Sequence, residues 1–491
     1  MSAGSAILGP WPSHSILLFR IDLGGGVVDW FPTLMRQTVA ALLLTSLGAF
    51  ADDPGAMAIR NARIVTVSGP VIAKGTVVIR KGLIEAVGDG ITVPPDAWIV
   101  EGDGLTVYPG LIDSLTTVGI PSLATAAAPA GGRGAAATPA VTPTDTAAAV
   151  TRSMGPEDRP RTTSWALAAD EIVATDRRIA TVRGAGITTT ATFPMRGIFG
   201  GQGAIVDLLS DEKPAKMVVA SPIGQYAAMT GGGRGGGGGG GAGFPGTTMG
   251  VISYIRQIYL DLDHYQAVKA AYARDPRGMP RPEYDRALEG IAASKRLLLP
   301  ANRLVEVDRM LRFAAELKQN TVLYGGLEAY RPEVAELLKK YNTPLLVSLK
   351  FPVRVADSDP DEPGTLRALE QRDKAPSAPA ALEKAGAKFA LYSDGIEQPR
   401  DFQRAVKKAI DAGLSKEAAL RALTLSPAEI YGVADRTGSI EKGKIANLVV
   451  TKGDLFDDAT TVQMIIVDGR KYEPEPVPAT GAGGRGGRGG N

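Results

Sequence analysis

Val107-Tyr108-Pro109-Gly110-Leu111-Ile112-Asp113-Ser114-Leu115-Thr116-Thr117-Val118-Gly119 stands where the texture of the chain changes. Ahead of it, residues 57–107 alternate apolar runs with glycine turns. Ala58 to Val67 and Gly75 to Arg80 read as strands, and Lys81-Gly82 turns the second into Leu83 to Gly88. Short strands punctuated by turns predict a small β-domain. The same texture returns over residues 437–472. There Gly438 to Lys444 leads into Asn447-Leu448-Val449-Val450, and Val462 to Val467 gives a further strand before Asp468-Gly469. Two distant β segments around a middle of different character predict one β-sandwich built from both ends of the chain.

The middle, residues 108–436, alternates strands with helices. Ile187 to Thr192 is β-branched and follows a glycine turn. Leu304, Val307, Leu311, Ala314 and Leu317 recur at helical spacing. A strand from Thr321 to Tyr324, a helix from Pro332 to Tyr341, and strands from Pro344 to Leu349 and Phe389 to Ser393 follow. Helices come next around Asp401 to Ala412 and Lys416 to Leu423. Ser426-Pro427-Ala428-Glu429 has the order of an N-cap, a first-turn proline and a capping-box glutamate. This alternation predicts an α/β fold with a parallel (β/α)8 TIM-like barrel. Gly200-Gly201-Gln202-Gly203 opens no dinucleotide-binding unit and reads as a tight turn. Residues 124–149, rich in alanine and proline, 230–243, nearly pure glycine, and the tail 473–491 cannot bury enough apolar surface to offset ordering entropy. They read as flexible.

Composition narrows the function. The 491 residues carry 54 basic and 52 acidic side chains, a formal net charge of +2. That balance offers no field for nucleic acid or an anionic membrane. Without cysteine there is no disulfide, thiolate site or cysteine nucleophile. The only histidines are His14 and His264. Met35-Arg36-Gln37, the apolar run Val39 to Leu47 and Ala49-Phe50-Ala51 together read as a secretory signal at 35–51. The run is too short to span a bilayer. Met35 is then the expected start, residues 1–34 an upstream extension, and the protein periplasmic or extracellular with no membrane contact after cleavage.

The quoted stretch and the β-domain before it resemble the amidohydrolase superfamily in its imidazolonepropionase-like branch, where P-G-L-I-D is followed by H-x-H. Phe389-Ala390-Leu391-Tyr392-Ser393-Asp394-Gly395 resembles the final-strand S/T-D-G motif. Leu425-Ser426-Pro427-Ala428 resembles the helix that follows. Gly438 to Val450 is similar to the closing G-x-I-x-x-G-x-x-A-D-L-V-V, with Asn447 at the usual aspartate. The pieces occur in consistent order over residues 57–472. The resemblance implies a barrel whose strand ends hold a divalent metal for hydrolysis of C–N bonds.

The departures from that pattern lie at the metal. The first-strand histidines of the family fall on Leu115 and Thr117, and the histidine of a later strand falls on Pro300. A further strand ends in Tyr324-Gly325-Gly326, where a histidine often stands. Only Asp394 remains at a metal- and base-bearing position. Zinc sites of this kind take imidazole and carboxylate ligands and keep one position open for water. The ion lowers that water's pKa toward about 7, and a neighbouring aspartate carries the proton. One carboxylate without imidazoles does not grip zinc in this way.

The residues therefore predict a pseudo-hydrolase or ligand-binding barrel, with no metal and no other cofactor. Asp394 is the one catalytic candidate, either a relic, a proton shuttle or a weak oxygen ligand with Asp113. Asp113, Arg303 and Tyr392 are the binding candidates for a small polar ligand. His264 reads as a polar-face or capping residue, and no serine has a histidine base for a triad. Two rival readings stay open. One is an active hydrolase of cyclic amides or dipeptides using Asp394 and zinc or another divalent metal on non-histidine ligands. The other is a structural or interaction protein. Oligomerisation or pairing with a complete paralogue is compatible with either.

Overall fold

The computed structural model describes residues 55–121, 159–210, 212–229, 245–354, 364–457 and 460–474. The expected leader, upstream extension, inserts 124–149 and 230–243, His14 and most of the tail lie outside the described residues.

Backbone pairing joins the two β-rich ends in one eight-stranded sheet. Leu448–Lys452 runs antiparallel to Thr106–Pro109, with Leu448 opposite Pro109 and Thr451 opposite Thr106. From that seam the C-terminal strands Thr461–Val467 and Arg470–Tyr472 extend one way. The N-terminal strands Ala56–Ile64, Ile72–Arg80 and Leu83–Gly88 extend the other, and Ala97–Glu101 pairs with Ala56–Ile64. The two segments expected to build one β-domain thus share one sheet, joined edge to edge at that seam, and pack Ile59, Val77, Ile84, Leu448 and Ile466 in one apolar cluster. The seam holds because both of its strands are buried and satisfy their backbone groups on each other. Lys81 and Gly82 both adopt positive φ, at 51° and 79°. This is the geometry of a tight hairpin whose twist suits its strands.

Seven parallel strands form the middle: Leu111–Thr116, Ile187–Thr192, Gln225–Ala227, Leu297–Ala301, Thr321–Gly325, Leu345–Ser348 and Phe389–Tyr392. Side-chain alternation along them sorts two apolar clusters. Leu298, Val322, Leu346 and Ala390 belong to one, with Ile112 and Leu115. Leu297, Leu299, Leu323, Leu345, Val347 and Leu391 belong to the other, with buried residues of the flanking helices. One set points inward and the other outward under helices, as barrel strands require. Both faces being covered, the strands read as continuous apolar runs rather than alternating ones.

The ladder is not continuous around this ring. It falls into a four-stranded and a six-stranded sheet, where eight parallel strands in a closed circuit were expected. Two causes are visible. Phe199–Gln202 and Ala204–Asp207 pair antiparallel to Gln225–Ala227 and Ile187–Thr192, so residues 200–203 are strand and joint rather than a tight turn. A Cβ on Gly200 would lie 2.1 Å from the Pro194 carbonyl oxygen, and one on Gly203 2.4 Å from the Phe193 ring; close approach explains these glycines. The second cause lies between the first and last barrel strands, where side chains replace backbone pairing. Ser114 Oγ donates to the Leu391 carbonyl at 2.7 Å, and Asp113 accepts from the Ser393 N–H at 3.0 Å and its hydroxyl at 2.5 Å.

The helices follow their apolar spacing. Leu304–Glu316 buries Val307, Met310, Leu311 and Ala314, and Pro399–Asp411 buries Phe402, Val406 and Ala409. Two local expectations shift. His264 is exposed within the helix Thr248–Arg274 rather than ahead of one. The helix Leu425–Tyr431 takes Thr424, not Ser426, as its N-cap, because Thr424 is held by its hydroxyl on the Leu420 carbonyl at 2.7 Å.

Candidate functional site at the barrel mouth

The C-terminal ends of barrel strands are where side chains of several strands converge on open space. Here the last inward-facing layer is Pro300, Tyr324, Ser348 and Tyr392. Pairing sets Pro300 opposite Tyr324 and Ser348 opposite Tyr392. Tyr226 joins them from the short third strand, its ring stacked on Tyr324 with centroids 5.4 Å apart. The Tyr324 hydroxyl donates to the Ala227 carbonyl at 3.1 Å, which locks that pair to the strand beneath it.

Asp394 stands one turn beyond Tyr392. It adopts φ +51°, and Gly395 follows at +82°. Aspartate and glycine tolerate this left-handed region, and the turn leaves the carboxylate exposed at the rim. Ser348 Oγ donates to Asp394 Oδ2 at 2.8 Å and accepts from the Lys350 N–H at 3.0 Å. No lysine or arginine pairs with Asp394 among the described residues. Burial, and then the charge of Asp394, push the Tyr392 phenol well above its ordinary range. Burial likewise raises Tyr226 and Tyr324.

The other expected site residues divide. Asp113 is 1% exposed and faces Ser393 rather than the open mouth; burial pushes its carboxyl up to about 6, with the Ser393 hydrogen bonds opposing. It links the barrel seam to the segment that carries Asp394. Arg303 lies apart, exposed at the N-cap of Leu304–Glu316, with its guanidinium on Glu306 at 2.7 Å. Tyr392 and Asp394 are therefore brought together, and Arg303 is not part of their cluster.

The positions where the resemblance puts metal ligands are committed elsewhere. Leu115 is 2% exposed within the barrel's inner apolar cluster. Arg178 Nη1 donates to the Thr117 hydroxyl at 3.1 Å, and Nη2 donates to the Thr117 and Ile120 carbonyls at 2.9 and 2.6 Å. Asp176 holds that guanidinium at 2.7 Å. A fixed positive charge thus sits on the hydroxyl that would have to serve a metal. Pro300 has no free donor, and Tyr324 spends its hydroxyl on a carbonyl. Among the described residues, no three His, Cys, Asp or Glu side chains gather as a metal-binding group. The described residues do not fit the metal that the resemblance implies.

Sequence reasoning missed Tyr226, Ser348 and Arg178. Ser348 and Tyr226 end strands whose inward parity becomes visible only once the strands are aligned. Arg178 reaches Thr117 across more than fifty positions, beyond any local pattern. A groove of about 1040 Å³ lies between the outer helix Pro399–Asp411 and the segment 455–462. None of the residues gathered at the strand ends lines it, so convergence of strand ends, not cavity size, marks the site.

Residues 318–472 match the model of the Amidohydrolase family. Among solved structures, an amidohydrolase from Thermotoga maritima MSB8 aligns with TM-score 0.63 and 23% identity over 85% of this chain and 100% of its own. Another amidohydrolase aligns at 0.50 and 14% identity, covering 86% and 99%. Molinate hydrolase aligns at 0.47 and 17% identity, covering 87% and 96%. No curated protein matches the chain significantly. The protein thus shares the α/β fold of the Thermotoga maritima amidohydrolase, and residues 318–472 are similar to the Amidohydrolase family. That stretch includes the last three barrel strands, Asp394 and the closing strands of the terminal sheet.

Proposed function

We propose that this is an exported pseudo-hydrolase of the imidazolonepropionase-like branch, whose barrel mouth binds a small polar ligand without metal-dependent hydrolysis. One observation carries the reading: the two first-strand ligand positions are spent on structure, Leu115 on the apolar interior and Thr117 on Arg178. Metal-bound hydroxide supplies much of the rate in such hydrolases, and a lone exposed carboxylate does not replace it. Asp394 is the residue that meets the ligand, Tyr392 lies buried beneath it, and Asp113 positions the segment that carries both. Export rests on the signal-like segment 35–51. The barrel then spans 108–436, with the terminal sheet supplied by 57–107 and 437–472.

The test is elemental analysis of protein purified without chelator, paired with turnover of dipeptides and cyclic amides. The expected result is no stoichiometric zinc, manganese or iron and no turnover, with Asp394→Asn indistinguishable from the parent in both. Stoichiometric metal and amide turnover, both lost in Asp394→Asn, would replace this reading with that of an active hydrolase.

A further inference from the structure

The groove beside the helix Pro399–Asp411 has a volume of about 1040 Å³, at the top of the range that holds ligands. Helical periodicity divides that element. Phe402, Val406 and Ala409 join the outer apolar cluster, while Arg400, Arg404, Lys407 and Lys408 line the groove. The carboxylates of the lining are already neutralised. Asp411 takes Lys407 at 2.8 Å, and Asp457 takes Lys416 at 2.7 Å. Arg404 has Asp401 at 3.4 Å with both side chains mostly exposed, a pairing worth little in water. Arg400 and Lys408 have no carboxylate partner among the described residues. Lys408 stands instead 5.7 Å from the centre of the Phe351 ring. The groove therefore carries surplus positive charge.

Leu455, Phe456 and Val462 line the same groove. Leu455 is buried, and Phe456 and Val462 are half-buried. A basic stripe beside an apolar surface fits a chain that carries acids at intervals with apolar groups between them. The lengths agree. Arg400 and Lys408 stand about 12 Å apart along the helix axis, at about 1.5 Å per residue. A peptide in the extended polyproline form rises about 3.1 Å per residue, so acids at its first and fifth positions also stand about 12 Å apart. Nucleic acid fits less well. Among the described lining residues Phe456 is the one aromatic ring, which gives no row of platforms for stacked bases. We propose that this groove binds an extended acidic peptide segment, with its carboxylates on Arg400 and Lys408 and its apolar residues against Leu455, Phe456 and Val462. The site shares no residue with the strand ends and does not depend on what binds there.

The experiment offers three capped hexapeptides to the full chain at low salt, read by calorimetry and fluorescence anisotropy: alternating glutamate and proline, its glutamine analogue and its lysine analogue. The acidic peptide is expected to bind at least about tenfold more tightly than the glutamine one, and the lysine one not at all. Added salt should weaken the acidic peptide, since exposed charges are screened. The double reversal Arg400→Glu with Lys408→Glu should abolish its binding and admit the lysine peptide, with an unchanged thermal melt to show that the barrel is folded. Arg312→Glu, an exposed reversal on another helix, should leave binding as in the parent. Equal binding of the glutamine and glutamate peptides, or acidic binding that survives the double reversal, would overturn the assignment. Tighter binding of a single-stranded oligonucleotide to the same groove would make peptide the wrong class. If no peptide binds, the proposal fails; a lower melting temperature for Glu475→Lys would then give the groove to the chain's own residues beyond Pro474, which lines it.

Discussion

Asp207 provides the sharpest physical test of the fold. It is 3% exposed and lies between the barrel and the terminal sheet. Its Oδ1 accepts from the Thr189 hydroxyl and from Asn447 Nδ2, both at 2.8 Å. Burial outweighs these two donors and pushes its carboxyl up from 3.8 to about 7. A carboxyl raised on folding binds more protons in the folded state than in the open chain between those two values. Its contribution to stability is therefore complete below about pH 4 and is lost as pH rises through 7. Three pH units at 1.36 kcal/mol each give about 4 kcal/mol as the upper limit of that loss. Asp207→Asn removes the titration and keeps an acceptor for Thr189 and Asn447. Urea unfolding of parent and variant from pH 4.5 to 8.5 measures the difference. The variant carries a constant offset, because its new amide hydrogens need partners. Relative to that offset it should gain about 2–4 kcal/mol between the two ends of the range. Parallel stability profiles for the two proteins would refute a proton held at Asp207.

Three further outcomes follow from the same geometry. Asn447→Asp should cost about 3 kcal/mol at pH 8, since it exchanges a donor for a second buried carboxylate facing Asp207; denaturation at pH 5, where one proton can bridge the pair, should recover most of it. Asp113→Ala strands the Ser393 N–H and hydroxyl at the barrel seam, so chemical unfolding should show a loss of about 2–4 kcal/mol, with Asp113→Asn losing less. Arg178→Ala removes the donors that hold residues 117–120 and should cost about 2 kcal/mol; amide exchange at Ile120 should quicken, and Arg178→Lys should restore little because a single ammonium does not reproduce the fork.

Much of the architecture was legible in the chain. Most strands of the second half and the helices Leu304–Glu316, Pro332–Lys340, Pro399–Asp411 and Lys416–Ala422 emerged within a residue or two, because amphipathic spacing and apolar runs are local signals, whereas Thr248–Arg274, Leu366–Lys374 and Ala378–Ala385 were not read as helices. The terminal β segments were recognised from glycine-punctuated strands. Their pairing was not legible. Which strand of one β segment pairs with which strand of the other depends on which backbone groups are left unpaired, and Leu448–Lys452 found Thr106–Pro109. The glycines at 200–203 looked like a turn because composition does not reveal a neighbour 2.1 Å away.

The sequence by itself determined the α/β class and the scarcity of imidazole, with only His14 and His264 present, since both depend on which residue types are present and at what local period. Tertiary structure alone decided which side chains meet at the strand ends. It placed Arg178 on Thr117, Ser348 on Asp394 and Tyr226 against Tyr324. Each of these contacts joins residues at least 46 positions apart, and only the closing together of distant strand ends, driven by burial of the two apolar clusters, brings their atoms within reach.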